Sequence, residues 1–182
     1  MVMIRLNTWV DAPVERCFRL ATSVDFHVAL AKPMKERVID GVTAGLMREG
    51  QTITWHGRHL GVRVTHTTGV EVLRPFSYFR DVMVDGAFKY YVHEHHFAAM
   101  DDGTRMRDEV RFAAPLGPLG TILESLVLRR YLTALLKWRN QALKRVAESE
   151  EWHKYLDEPA EVTPMTSQPG TGTSQPGKIH VA

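Results

Sequence analysis

With 182 residues, 44% of them hydrophobic, the chain has room for one sizeable core and none for a second full domain. Its 23 basic and 21 acidic residues leave a net charge of +2, a slight imbalance that implies no nucleic-acid partner. A single cysteine, Cys17, excludes an intramolecular disulfide, and no stretch approaches the roughly 18 apolar residues of a membrane span, so the expected setting is soluble and cytoplasmic.

Val2, Ile4, Leu6, Thr8 and Val10 alternate with Met3, Arg5, Asn7 and Trp9, the period of a strand with one face buried. Pro13 then suits the first turn of a short helix through Ala21, on which Val14, Cys17, Phe18 and Ala21 share a side. Thr22 or Ser23 can cap a second short helix carrying Phe26, Ala29 and Leu30, which Pro33 stops. From Glu36 the pattern changes to period two and stays there through Val84, predicting an antiparallel meander. Asp85-Gly86 and Asp102-Gly103 read as hairpin turns around a long strand from Ala87 to Met100. After the second turn, Thr104, Met106, Asp108, Val110 and Phe112 alternate with Arg105, Arg107, Glu109 and Arg111, so one face is wet and the other turned inward.

Pro115-Leu116-Gly117-Pro118 breaks that strand, and a long amphipathic helix is predicted from Leu119 to about Val146. Its apolar stripe runs through Tyr131, Ala134, Leu135, Trp138, Ala142 and Val146, interrupted by Arg130. Leu128, Leu132, Leu136 and Leu143 form a second stripe beside it. Two readings of that extra width stay open: cover by the short helices, or self-association into a homodimer. Residues 149–182 are expected to be a disordered tail after a domain of residues 1–148; Pro159 to Gly177 is Pro, Gly, Ser, Thr and Gln-rich, with TSQPG occurring twice.

The order of strand, two short helices, antiparallel meander and long terminal helix resembles the α+β helix-grip fold of the START and Bet v 1-like superfamily, also called SRPBCC or polyketide cyclase/dehydrase-like. Ala12-Pro13-Val14-Glu15 resembles that superfamily's passage from strand to helix. Phe79, Asp81, Gly86, Phe88, the run His93-Glu94-His95-His96-Phe97, Thr104, Met106, Asp108, Val110 and Pro115 to Gly120 are similar to a bacterial ligand-binding subgroup. The resemblance implies a curved sheet of about six to seven strands gripping the terminal helix around a mostly apolar pocket. Because the superfamily includes lipid carriers, aromatase/cyclases and oxygenase domains, the fold does not settle the activity.

Counting outward from a turn at Asp102-Gly103 places Phe97 opposite Asp108 and His95 opposite Val110, so that His93, His95 and Phe97 share a face with Met106, Asp108 and Phe112. A His-x-His pair near a carboxylate can contact a ligand's polar end, move protons, hold a metal, or form a self-satisfied patch of the wall. The expected function is binding of a small lipophilic or aromatic molecule, with Trp55, Tyr91, His93, His95, Phe97, Met106, Asp108, Phe112, Arg130 and Trp138 around it. No cofactor is expected, and no metal, because no third ligand is evident; His56 and His66 are unplaced. The alternatives are a cyclase/dehydratase or aromatase-type enzyme using His93, His95 and Asp108 as acid/base groups, and a protein-interaction module. His56, Arg58, His59 and Arg63 read as a solvated basic hairpin.

Overall fold

In the computed structural model, residues 1–113 and 127–156 are described. Among these residues, seven strands form one antiparallel sheet: β1 (Val2–Val10), β2 (Arg37–Gly41), β3 (Thr52–His59), β4 (Val62–Arg74), β5 (Tyr78–Asp85), β6 (Tyr90–Met100) and β7 (Gly103–Ala113). Their order across the sheet is β1-β7-β6-β5-β4-β3-β2, so the meander runs outward from β7 while β1 closes the other side. Register shifts at Val38/Asp40, Thr67/Thr68 and Val70/Val72 interrupt the ladders of β2 and β4. Such irregularities bend strands and give a sheet its concavity.

Helices α1 (Val14–Thr22) and α2 (Val24–Ala31) join β1 to β2. Pro13 precedes α1, and Ser23 caps α2 by accepting from the Phe26 amide at 3.2 Å. Cys17, Phe18, Leu20 and Ala21 of α1 are buried. Phe18 meets Phe79 and Phe97 of the sheet edge-to-face, at centroid distances of 5.7 and 5.3 Å.

The terminal helix α3 (Arg129–Ala147) lies against β1 and α1. The segment expected to begin it, from Leu119 to Leu126, lies outside the described residues. The burial of α3 differs from the expected stripe. Leu132, Leu136, Asn140, Ala142, Leu143 and Val146 are buried, whereas Trp138 is 40% exposed and Ala134 and Arg130 are also exposed. The second leucine stripe therefore faces inward, and Ala134 and Trp138 of the first face out. Two adjacent stripes of similar breadth leave the helix's rotation undetermined by hydrophobicity alone, and polar contacts from Arg139 and Asn140 decide it.

The domain also extends past residue 148. Ser149 caps a short turn by accepting from the Glu151 amide, and α4 (His153–Leu156) buries Leu156 in the core beside Phe26 and Val146. Residues 149–156, which the sequence reading places in the tail, thus pack on the domain; residues 157–182 lie outside the described set.

The β6–β7 hairpin closes at Met100 opposite Gly103, with Asp101 and Asp102 in the turn. Phe97 accordingly faces Met106 and His95 faces Asp108, two residues from the expected pairing. An even displacement leaves every side chain on its expected face. Gly103 is required here by contact as much as by its φ of +154°: a Cβ would sit 2.4 Å from the Val10 carbonyl oxygen. Replacing Gly103 with Ala should lower unfolding free energy by about 1–3 kcal/mol, the usual cost of forcing atoms into occupied space, read as a lower denaturation midpoint in urea.

Candidate functional site

Between the concave sheet, α2 and α3 lies a cavity of about 360 Å³. Phe26, Ile53, Val70, Met83, Leu132 and Leu136 are typical of its wall. Two polar islands break this apolar lining, one on β5 and β6, the other where β2, β3 and β4 meet α3.

The first island follows from strand parity. Phe79, Asp81 and Met83 of β5 point inward, as do Tyr91, His93 and His95 of β6, and Asp81 lies directly across from His93 in the ladder. Behind them, Asp108 is 2% exposed on β7. Its Oδ1 accepts from His93 Nε2 at 2.9 Å and lies 3.1 Å from His95 Nδ1. Its Oδ2 accepts from Asn140 Nδ2 of α3 at 2.6 Å. His95 Nε2 donates to Asp81 Oδ1 at 2.8 Å, and the ring stacks on Phe79 with centroids 3.9 Å apart.

Each ring is thereby given a different charge. Burial opposes protonation of His95, but carboxylates on both nitrogens outweigh it and push its pKa up to about 9. His93 goes the other way: burial and the neighbouring His95 charge lower its pKa despite the Asp108 bond. Burial would raise Asp108, yet hydrogen bonds from His93 and His95 hold its carboxyl well below the usual range. Asp81 is lowered for the same reason, burial being outweighed by the His95 bond. The island is thus a neutral imidazole and an imidazolium held between two carboxylates.

The second island is built on Glu36, at the entry to β2. Its side chain is 1% exposed, and its Oε1 lies 3.1 Å from His59 Nε2 and 3.9 Å from His66 Nε2. His59 Nδ1 lies 2.6 Å from the Tyr131 hydroxyl, and Arg139 Nη2 approaches Glu36 Oε2 to 3.8 Å. Burial would raise the Glu36 pKa, but the His59 hydrogen bond and the Arg139 charge bring it below its ordinary value. Beside this island, burial and Arg139 depress His27 to about 4, so its Nε2–H stays neutral and donates to the Ala21 carbonyl at 2.8 Å.

Of the residues expected around a ligand, Trp55, Tyr91, His93, His95 and Met106 line the cavity. Phe97, Asp108 and Phe112 are buried behind it in the core, and Arg130 and Trp138 stand on the outer side of α3. The cationic residue of the helix that reaches the cavity is Arg139, not Arg130. His59 is likewise inward and not part of a solvated hairpin, because it shares β3 parity with Ile53 and Trp55. His56, on the opposite parity, bonds Thr65 Oγ1 at 2.8 Å. The third ligand-capable group that the sequence left unplaced is Asp81 for the His93/His95 pair, and a separate trio forms from Glu36, His59 and His66. Asp81 was readable from its alternation with Phe79 and Met83; Asn140 was not, because its place beside Leu132 and Leu136 matters only once that stripe of α3 faces inward. Glu36 carried no local signal.

Two outcomes test this island. Substituting Asp108 by Ala leaves His95 charged and half-paired in the interior, and should cost about 3–5 kcal/mol in denaturant unfolding. His95 has its folded pKa raised from 6.5 to about 9, so its contribution is complete below pH 6.5 and lost as pH rises through 9. The wild-type thermal midpoint should therefore fall between pH 6.5 and 9, and the His95→Phe variant should lose that decline.

No protein-family model matches the sequence, and no curated protein matches it. Solved structures do. The protein TTHA0849 from Thermus thermophilus is 21% identical at a TM-score of 0.59, covering 80% of this chain and 99% of its own. A START superfamily protein from Mycobacterium smegmatis is 12% identical at 0.59, covering 80% and 97%. The di-domain ARO/CYC BexL from the BE-7585A biosynthetic pathway is 16% identical at 0.59, over 81% of this chain and 50% of that one. The likeness to these proteins over about four-fifths of the chain, at a TM-score of 0.59, shows the fold: a helix-grip arrangement in which, among the described residues, a seven-stranded antiparallel sheet holds α3.

Proposed function

We propose that the chain binds a small lipophilic or aromatic molecule inside the cavity, as a carrier or binding protein. The observation that carries this reading is an apolar chamber of about 360 Å³ broken by a few converging polar groups, the composition of a small-molecule site. The chemistry of the first island narrows the ligand. His93 uses its Nε2–H on Asp108, which leaves Nδ1 as a lone-pair acceptor 4.0 Å from Asp81 Oδ1. Asp81 faces the cavity with a carboxylate. Two acceptors at that spacing call for a donor between them, such as a phenol, an enol or an alcohol.

A second reading rests on the state of His93. A neutral imidazole backed by a buried carboxylate is the arrangement of a general base, and here it opens on an apolar chamber. With His95 as the neighbouring acid, His93 and Asp108 would then serve a cyclase/dehydratase or aromatase-type reaction on a polyketide-like substrate. The fold shared with an ARO/CYC protein is consistent with that chemistry.

The binding reading is tested with 2-naphthol and its methyl ether, competed against an environment-sensitive dye. The naphthol should bind the wild type about 5–10-fold more tightly, the worth of one hydrogen bond, and His93→Phe should abolish the preference while retaining affinity for the ether. Failure of both compounds to displace the dye, with no lipophile retained in native mass spectrometry of the purified protein, would overturn it.

A further inference from the structure

The second island contains groups that ligand binding at His93 and Asp81 leaves unused. Glu36 follows Lys35, whose backbone is left-handed at φ 52°, and this turn drives the carboxylate inward instead of along the edge of the sheet. Its place is kept open by Gly57 of β3: a Cβ there would meet Glu36 Cβ at 2.7 Å. The buried Oε2 has no hydrogen-bond partner among the described residues, and neither does Arg139 Nε. A buried carboxylate whose second oxygen faces only a guanidinium at 3.8 Å, beyond hydrogen-bond reach, is costly, and points to a further group that this carboxylate is built to receive.

Its neighbours specify what that group is. One donor atom each from Glu36, His59 and His66 can be chosen so that all three lie within 4.8 Å of one another. Ligands around a tetrahedral zinc ion, at bond lengths near 2.1 Å, are roughly 3.4 Å apart. The observed 3.1 and 3.9 Å from Glu36 Oε1 to the two Nε2 atoms bracket that spacing. In the metal-free protein His59 Nε2–H donates to Glu36 Oε1; once a metal displaces that proton, the Nδ1–H form would donate to the Tyr131 oxygen, the outer contact that commonly orients a ligating imidazole. His66 makes no side-chain hydrogen bond among the described residues, so nothing must be broken to recruit it. All of these residues line the cavity.

The first island, Asp81 with His93 and His95, is equally compact but chemically spent. Both nitrogens of His95 lie against carboxylates, and His93 Nε2 is bonded to Asp108. A metal there would have to displace those bonds and a proton from a charged ring. At Glu36 the opposing charge is Arg139, 3.8 Å from Oε2, whose long side chain can swing away from an incoming cation.

We propose that Glu36, His59 and His66 form a three-ligand site for a divalent transition-metal ion of zinc's class, with Tyr131 orienting His59 and the remaining coordination position open to the cavity. The test uses tag-free full-length protein, stripped with chelator and titrated with cobalt(II), whose visible d–d bands report low coordination number, followed by zinc displacement. One equivalent should bind. His66→Ala and Glu36→Gln should each weaken binding by roughly 100-fold or more, and Tyr131→Phe by about 10-fold, while His93→Gln, which keeps an N–H donor for Asp108, leaves it unchanged. His66→Ala, which sacrifices no side-chain hydrogen bond, keeps the test open if Glu36→Gln fails to fold. Wild-type protein that takes up no cobalt or zinc, a His66→Ala variant that binds as tightly as wild type, or loss of binding in a folded His93→Gln variant would overturn the proposal. None of these readouts depends on an organic ligand.

Discussion

A carboxylate that is only 2% exposed stays ionised inside a protein when donors replace the water it has lost, and Asp108 has three such groups around it. Two of them come from the next strand and one from the terminal helix. The strand donors bring His93 and His95 within 3.7 Å of each other, ring to ring, and fix which is neutral and which is charged. The helix donor, Asn140, sets the rotation of α3. Much of what makes the interior usable as a site follows from keeping this one anion satisfied.

The rotation of α3 in turn composes the cavity. With Asn140 bonded to Asp108, Leu132, Leu136 and Leu143 turn inward, Tyr131 and Arg139 come to the second island, and Trp138 is carried to the outside. The Arg139–Glu36 contact reinforces the same orientation from the far edge of the sheet. Helix and sheet are thus clamped at two polar points, and the apolar surface between them is held apart as a chamber. Fully apolar contact along α3 would favour sliding or closing up to native packing density.

The two islands divide the chamber chemically. One offers lone pairs at His93 and Asp81 against a charged His95; the other offers an unbonded carboxylate oxygen flanked by two imidazoles and a guanidinium. An occupant of the chamber meets polar groups at two places and hydrocarbon elsewhere, so its orientation is specified by where its own polar atoms lie.

Local pattern was sufficient for the element order from β1 to α3, the antiparallel meander, a cap for α2 at Thr22 or Ser23, and the inward face of His93, His95 and Asp108. A strand's side chains alternate strictly, so parity survived even though the β6–β7 pairing lay two residues from the expected one. Sequence could not choose between two leucine-bearing stripes on α3, because both satisfy the same helical period; contacts made by Asn140 and Arg139 with residues distant in the chain chose one. Nor could it bring Glu36 beside His59 and His66, since that meeting depends on a left-handed turn at Lys35, a missing side chain at Gly57 and the pairing of β3 with β4. Periodicity is a property of one segment, whereas helix rotation and the convergence of side chains from separate strands are properties of their packing.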